Sequence, residues 1–358
     1  MDNLASQTIR ILRFPLSVAI VMFHSNITVY NTSAAQNSIV SRFSDFIISN
    51  ICLLAVPLFF FISGYLFFHE GKFNLHIFKR KLQNRFYSLI IPYILWNSIC
   101  LAIFFTLQLL IPNFNLMVHK QILDFKLSDF IMIFWNLQEV SGIKTDQMGP
   151  LVGQFWFIQC LVVYSLLTPI IWFCTKRLGA LFSVLLVALS LSGYMPKVPG
   201  FDIWGLYYFS LGAYFSITKH NWNINKKYIP LLFLTYMILY ITQQTIHWGI
   251  LRFINDTILV FVILNIGSYF AKGRKLKPST IYLSHTSFFI FAIHRYFTSI
   301  GLNIGAHFIF SNCVMAILCF MTISLFSVAS SLAIYRLMDK YFHKVLLILN
   351  GNAKILLT

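Results

Sequence analysis

Apolar runs of about twenty residues recur along the chain, separated by short polar stretches that carry most of the charge. Ten are readable, at approximately 11–30, 47–68, 88–111, 154–174, 179–194, 201–217, 228–246, 252–271, 281–301 and 311–337. A helix of that length crosses a bilayer with its backbone hydrogen bonds satisfied internally. The pattern predicts an all-α fold: a polytopic integral membrane bundle of about ten transmembrane helices, forming one domain over residues 1–358. The segment 128–137 is apolar but too short to cross, and reads as a re-entrant or interfacial piece of a long loop, about 112–153.

Polar positions inside the apolar runs are the informative exceptions, and the first run holds two. Arg13 stands at its start and His24 deep inside it. At ~100° per residue, eleven steps bring His24 within about 20° of Arg13 on the same helix face, roughly 16 Å further along the axis. Ser17 lies on the same stripe, which marks a polar track leading inward from one membrane face. An intramembrane histidine is costly to bury unless it meets a partner or water, so it serves either as an interhelical hydrogen-bonding group or as part of a site. Arg13 can snorkel to the membrane surface or bind phosphate.

Composition supports the membrane reading: 58% of residues are hydrophobic and 10% charged, with a mean hydropathy of +0.75. The net charge of +17 comes in short basic clusters between apolar runs, the pattern of loop charges rather than of a nucleic-acid surface. With the N-terminus inside, twenty of the 27 Lys and Arg residues fall on the cytoplasmic side and seven outside, which places both termini in the cytoplasm. The long outer loop carries Asp124, Asp129, Glu139 and Asp146; it either covers a cavity or acceptor, or is a solvated connector.

Residues 10–35 also imitate a secretory signal, with Ser33-Ala34-Ala35 as the cleavage site, but the apolar run is long for one and contains His24 and Asn26, so an uncleaved span is expected. The six cysteines lie in or beside apolar spans without a CxxC pair and read as small buried hydrophobes; no metal site is expected.

Two further stretches carry candidate chemistry. In Phe59-Phe60-Phe61-Ile62-Ser63-Gly64-Tyr65, Gly64 permits close helix approach or a local break, and Ser63 can donate a hydrogen bond in a site. The run Lys79-Arg80-Lys81-Leu82-Gln83-Asn84-Arg85, followed by Ile91-Pro92-Tyr93 and Trp96-Asn97, is the densest basic cluster. It reads as positive-inside anchoring or, with Arg13 on the same membrane side, as a cradle for the phosphates of a cytoplasmic donor.

Taken in order, Arg13-x10-His24, Phe60-Phe61-Ile62-Ser63-Gly64-Tyr65, the basic run ending in Pro92-Tyr93, Phe155-Trp156-Phe157-Ile158-Gln159, Phe209-Ser210-Leu211-Gly212-Ala213-Tyr214 and Ser287 to His294 resemble the membrane acyltransferase-3 family over nearly the whole chain. The resemblance implies a ten-span enzyme of the bacterial cytoplasmic membrane. Such an enzyme moves an acyl group, usually acetyl, from cytoplasmic acyl-CoA to a sugar hydroxyl on an envelope polysaccharide or lipid-linked glycan precursor. It makes His24 the catalytic histidine and Arg13 its partner. Arg85 matches the first arginine of an Arg-x-x-Arg element, while Ser88 and Gln159 stand where further arginines are common.

On this reading acyl-CoA is a co-substrate, its phosphates held by Arg13, Lys79, Arg80, Lys81 and Arg85, and His24 is the base for the acceptor hydroxyl. Ser63, Gly64, Trp156 and His294 are further candidates for the site or its support. The expected partners are membrane lipids and a glycan acceptor, without nucleic acid. A tunnel wide enough for a pantetheine arm is expected between Arg13 and His24. On composition alone, a transporter, flippase or exporter of a glycan intermediate fits a ten-span bundle with polar residues at depth as well.

Overall fold

The computed structural model describes residues 3–26, 38–111, 120–141, 148–194, 198–246, 249–273, 275–308 and 313–356. Every expected apolar run coincides with a helix: α1 (Asn3–His24), α2 (Ile39–Phe68), α3 (Leu75–Leu110), α4 (Trp156–Leu178), α5 (Ala180–Leu191), α6 (Ile203–Thr218), α7 (Ile229–Thr245), α8 (Gly249–Ala271), α9 (Pro278–Phe308) and α10 (Cys313–Tyr341). No strand occurs among the described residues.

Five of these, α1, α2, α3, α8 and α10, are long and apolar enough to qualify as membrane spans by themselves. The bent α4 makes a sixth, from Gly153–Leu166 and Thr168–Leu178 meeting at 65°. The other four expected spans are either short, as α5, α6 and α7 are, or, like α9, rich in polar side chains. The bend in α4 has a local cause. Pro169 has no N–H to give the carbonyl of Ser165, and Thr168 supplies its hydroxyl there instead at 2.7 Å.

The first helix differs from expectation in its placement. It starts at Asn3 and ends at His24, several residues earlier than the apolar run, so Arg13 lies at mid-helix and His24 in the last turn. The polar opening stretch joins the helix because it packs inward: Ala5, Thr8, Ile9 and Leu12 are buried, and the hydroxyls of Thr8 and Ser268 meet at 3.2 Å. Ser33 to Ala35 lie outside the described residues.

The surface is apolar and the interior carries polar groups, the reverse of a soluble protein. Leu231, Phe233, Leu234, Ile238 and Ile241 on α7 and Leu318, Met321 and Leu325 on α10 are exposed, whereas Ser17, Thr286, Ser287, His294, Ser327 and Ser331 are buried. With several spans of sufficient length, this identifies an integral membrane protein.

Helix α1 packs centrally against α9, α8, α10 and α2. The closest packing joins α2 to α6: a Cβ on Gly64 would run into the carbonyl oxygen of Phe209, and one on Gly212 into that of Phe61. The two backbones therefore touch, as small residues at helix crossings allow.

The segment 128–137 forms a short helix, Leu127–Met132, and a turn lying on the bundle with Leu127, Ile131 and Trp135 exposed and Ile133 buried. Gln159 fastens this turn, donating to Tyr93 Oη at 2.9 Å and to the Trp135 carbonyl at 2.8 Å. Asp129 in the same segment pairs with Lys120 at 2.5 Å, and Asp146 lies outside the described residues. At the other end of the chain a short helix, His343–Leu349, returns onto α3, where Trp96 Nε1 donates to the Leu349 carbonyl at 3.0 Å.

Candidate active site

The first halves of α1 and α9 enclose a pocket of about 200 Å³ lined by Ser6, Ile9, Arg10, Arg13, Leu66, Ile281, Ser284 and His285. Arg13 faces this pocket from mid-helix and is within electrostatic reach of both Arg10 and Arg85. Arg85 comes from the last turn of the basic helical segment Leu75–Arg85, which Asn74 caps by accepting from the Ile77 N–H at 2.9 Å. One guanidinium nitrogen of Arg85 donates to Ser63 Oγ at 3.1 Å and to the Ser63 carbonyl at 3.3 Å, and the group lies over the Phe67 ring at 5.8 Å. Ser63 thus holds an arginine in place. Gly64 beside it serves helix packing.

The basic run divides. Lys81 shares the inward face with Arg85, four residues on, and also lies over Phe67 at 5.5 Å. Arg80 and Lys81 both pair with Glu70, Lys81 at 3.2 Å. Burial pushes the Glu70 carboxyl up, but the hydrogen bonds and charges of Lys81 and Arg80 outweigh that and hold it below its ordinary 4.5. Lys79 and Arg80 are exposed, and neither lines the pocket. Arg13 and Arg85 have no carboxylate partner among the described residues. Of these two only Arg13 lines the pocket itself, beside Arg10; guanidinium groups are planar donors of a shape that matches phosphate.

At the other end of α1, His24 meets His294 of α9, with ring centres 5.1 Å apart and planes tilted by 36°. His294 is fully buried, and its Nδ1 lies 3.1 Å from the Ile290 carbonyl oxygen and 2.9 Å from that of Phe291. Its Nε2 is buried with no hydrogen-bond partner among the described residues. Ser327 of α10 donates to the His294 carbonyl at 3.1 Å, and Gln154 to the Ala292 carbonyl at 2.9 Å, which fixes this part of α9 from two sides. Arg295 is the other ionisable neighbour of His24, with its guanidinium against Gly153. Its position directly after His294 was its only signal in the sequence. Trp156 stands further off, edge-on to Phe60 at 6.2 Å, in an aromatic wall that continues through Phe157 and Phe291 to His294.

Arg13 and His24 thus share a face of α1 and look onto α9, at opposite ends of a common seam. The expectation of an open tunnel between them is not met along the described residues of that seam, which is packed. Leu16, Ser17, Ile20, Ser287 and Ile290 are all buried, whereas side chains lining a water-wide channel would retain accessible surface. Ser17 also bridges the seam by donating to the Ser287 carbonyl at 3.1 Å. Pro15 lies between Arg13 and Ser17 and leaves the Ile11 carbonyl without its helical donor, a weak point in α1 at this level. Among the described residues no three His, Cys, Asp or Glu side chains converge.

The arrangement joins a pocket lined by Arg10 and Arg13 at one end of two parallel helices to a paired imidazole with a neighbouring guanidinium at the other. The acyltransferase-3 family model, described as an acyltransferase domain, matches residues 7–336. None of the curated proteins and none of the solved structures compared with the chain matches it.

Proposed function

The chain belongs to the acyltransferase-3 family, and on that footing we propose that it transfers an acyl group, in the first instance acetyl, from cytoplasmic acyl-CoA to a sugar hydroxyl of an envelope polysaccharide or lipid-linked glycan precursor. In this reading it crosses the bacterial cytoplasmic membrane ten times with both termini inside. The observation that carries the reading is the placement of an uncompensated arginine pocket and a histidine on one face of α1, both against α9.

The donor's phosphates sit against Arg13, Arg85 and Arg10, with Lys81 behind them; Lys79 and Arg80 remain surface anchors. The thioester reaches His24 when the seam at Ser17 and Ser287 parts. His24 takes the proton of the acceptor hydroxyl as its oxygen attacks the thioester carbonyl. The Arg295 guanidinium lies where it can stabilise the tetrahedral oxyanion. The carbon–sulfur bond then breaks, the acyl group stays on the sugar oxygen, and the leaving thiolate takes the proton from His24 to give free CoA.

The test is transfer of labelled acetyl from acetyl-CoA to candidate glycan acceptors by the purified protein in liposomes, comparing wild type with His24→Ala. A loss of about 10²–10⁴-fold is expected. Equal transfer by both removes His24 from the chemistry. Translocation of a lipid-linked glycan with no acyl-CoA bound or consumed identifies a flippase instead.

A further inference from the structure

A histidine that is to act as a base must present one ring nitrogen bare, and something must hold the proton on the other. In many sites a carboxylate does this. The charged or titratable neighbours of His24 are His294 and Arg295, and no carboxylate is among them in the described residues. Arg295 can only donate, and the Ser25 hydroxyl is committed to the Val21 carbonyl at 2.9 Å.

His294 has the complementary chemistry. A carbonyl oxygen has no proton to give, so the contacts of His294 Nδ1 with the Ile290 and Phe291 carbonyls require that Nδ1 carry the hydrogen. In the neutral ring this leaves a lone pair on Nε2, the atom that is buried without a partner. With ring centres 5.1 Å apart, nitrogens turned toward each other come within roughly 3 Å, the span of an N–H···N hydrogen bond.

We propose that His294 is the positioning residue for His24: its Nε2 accepts a hydrogen bond from the His24 ring N–H and fixes which nitrogen of His24 faces the acceptor hydroxyl. This role rests on the acyltransferase reading above. His294 touches no substrate in it. Two devices keep the acceptor ready: the helix's own carbonyls select the His294 tautomer, and Ser327 and Gln154 hold the surrounding turn of α9. The registration of α1 on α9 supplies the distance, since Ser17 with Ser287 and His24 with His294 are both pairs separated by 270 residues and lie seven residues apart on each helix.

The experiment compares full-length wild type, His294→Leu and His294→Gln in liposomes, each first shown to be monodisperse and folded. His294→Leu is expected to lose about 100-fold in kcat with the acetyl-CoA KM unchanged to within about twofold. His294→Gln, whose amide oxygen can accept the same hydrogen bond, is expected to recover at least about tenfold of that loss. Wild-type kcat in His294→Leu, or equal loss in the two variants, overturns the proposal. A second readout does not depend on turnover: NMR of the His24 ring nitrogens should show one tautomer in wild type and a mixture in His294→Leu. An unchanged His24 spectrum also overturns the proposal. A protein that shows this tautomer dependence but never consumes acyl-CoA keeps the histidine pair and loses the acyltransferase reading.

Discussion

The hydroxyl of Ser17 lies 3.1 Å from two carbonyl oxygens, that of Ser287 on α9 and that of Arg13 one turn back in α1, and its single hydrogen is shared between them, tying α1 to α9 between the pocket and His24. If donor must pass this point, the seam controls transfer without contributing to chemistry. Ser17→Ala removes one hydrogen bond at a cost of about 1 kcal/mol and should lower the thermal midpoint slightly while leaving transfer intact. Ser17→Leu fills the seam; its kcat should fall by at least tenfold, roughly 1.4 kcal/mol of barrier, while acyl-CoA still binds the pocket. Normal turnover by the leucine variant would place the donor path elsewhere.

Arg85 lies within electrostatic reach of Arg13, and neither has a carboxylate partner among the described residues. Replacing either by alanine should raise the apparent KM for acyl-CoA by about 10–100-fold, corresponding to the loss of a charge-assisted contact. The double replacement should cost less than the product of the two, because both act on one ligand. Steady-state kinetics over a range of salt concentrations would show it, and strict additivity would assign the two arginines to separate roles.

Glu70 offers a separable pH effect. Its folded carboxyl is held below 4.5 by Lys81 and Arg80 against the opposing effect of burial, so the pair's contribution is present above the unfolded value and is lost as pH falls through the folded one. Thermal unfolding should therefore show wild type losing more stability than Glu70→Gln between pH 7 and pH 4. Parallel curves would mean that the carboxylate contributes nothing to folding.

Gly64→Ala and Gly212→Ala each place a methyl group against a backbone carbonyl of the facing helix. A side chain could turn aside; a carbonyl within a helix cannot. Each variant should cost roughly 3 kcal/mol or more, seen as a large drop in the thermal midpoint or in the yield of folded protein.

How much of this was readable beforehand depends on the reach of each interaction. The ten helices follow from runs of apolar residues, and the shared face of Arg13, Ser17 and His24 follows from helical period, because both are local. The division of the basic run was also available, since Lys81 and Arg85 are four residues apart and Lys79 is not in their row. The start of α1 at Asn3 was not, because Thr8 becomes a core residue only through Ser268, 260 positions away. Close helix approach at Gly64 was readable from a glycine in a bulky run, but its partner, Phe209 on another helix, was not. In the sequence Gln159 stands out only as a departure from a motif, and Arg295 only as the residue after His294. Contacts with Tyr93, Trp135 and Gly153 give them positions that no spacing along the chain encodes.

The mutual insertion of Gly64 and Gly212 has one more consequence. Two helices touching backbone to backbone cannot slide without lifting apart, so α2 and α6 behave as a keel that resists shear. Ser63, adjacent to Gly64, hangs Arg85 from that keel. Arg85 is therefore anchored to the stiff part of the molecule on the α2 side, while Arg13 is carried by α1. On the proposed function, an anion held by both arginines would link this stiff pair to α1 just before Pro15, where the helix lacks one backbone hydrogen bond.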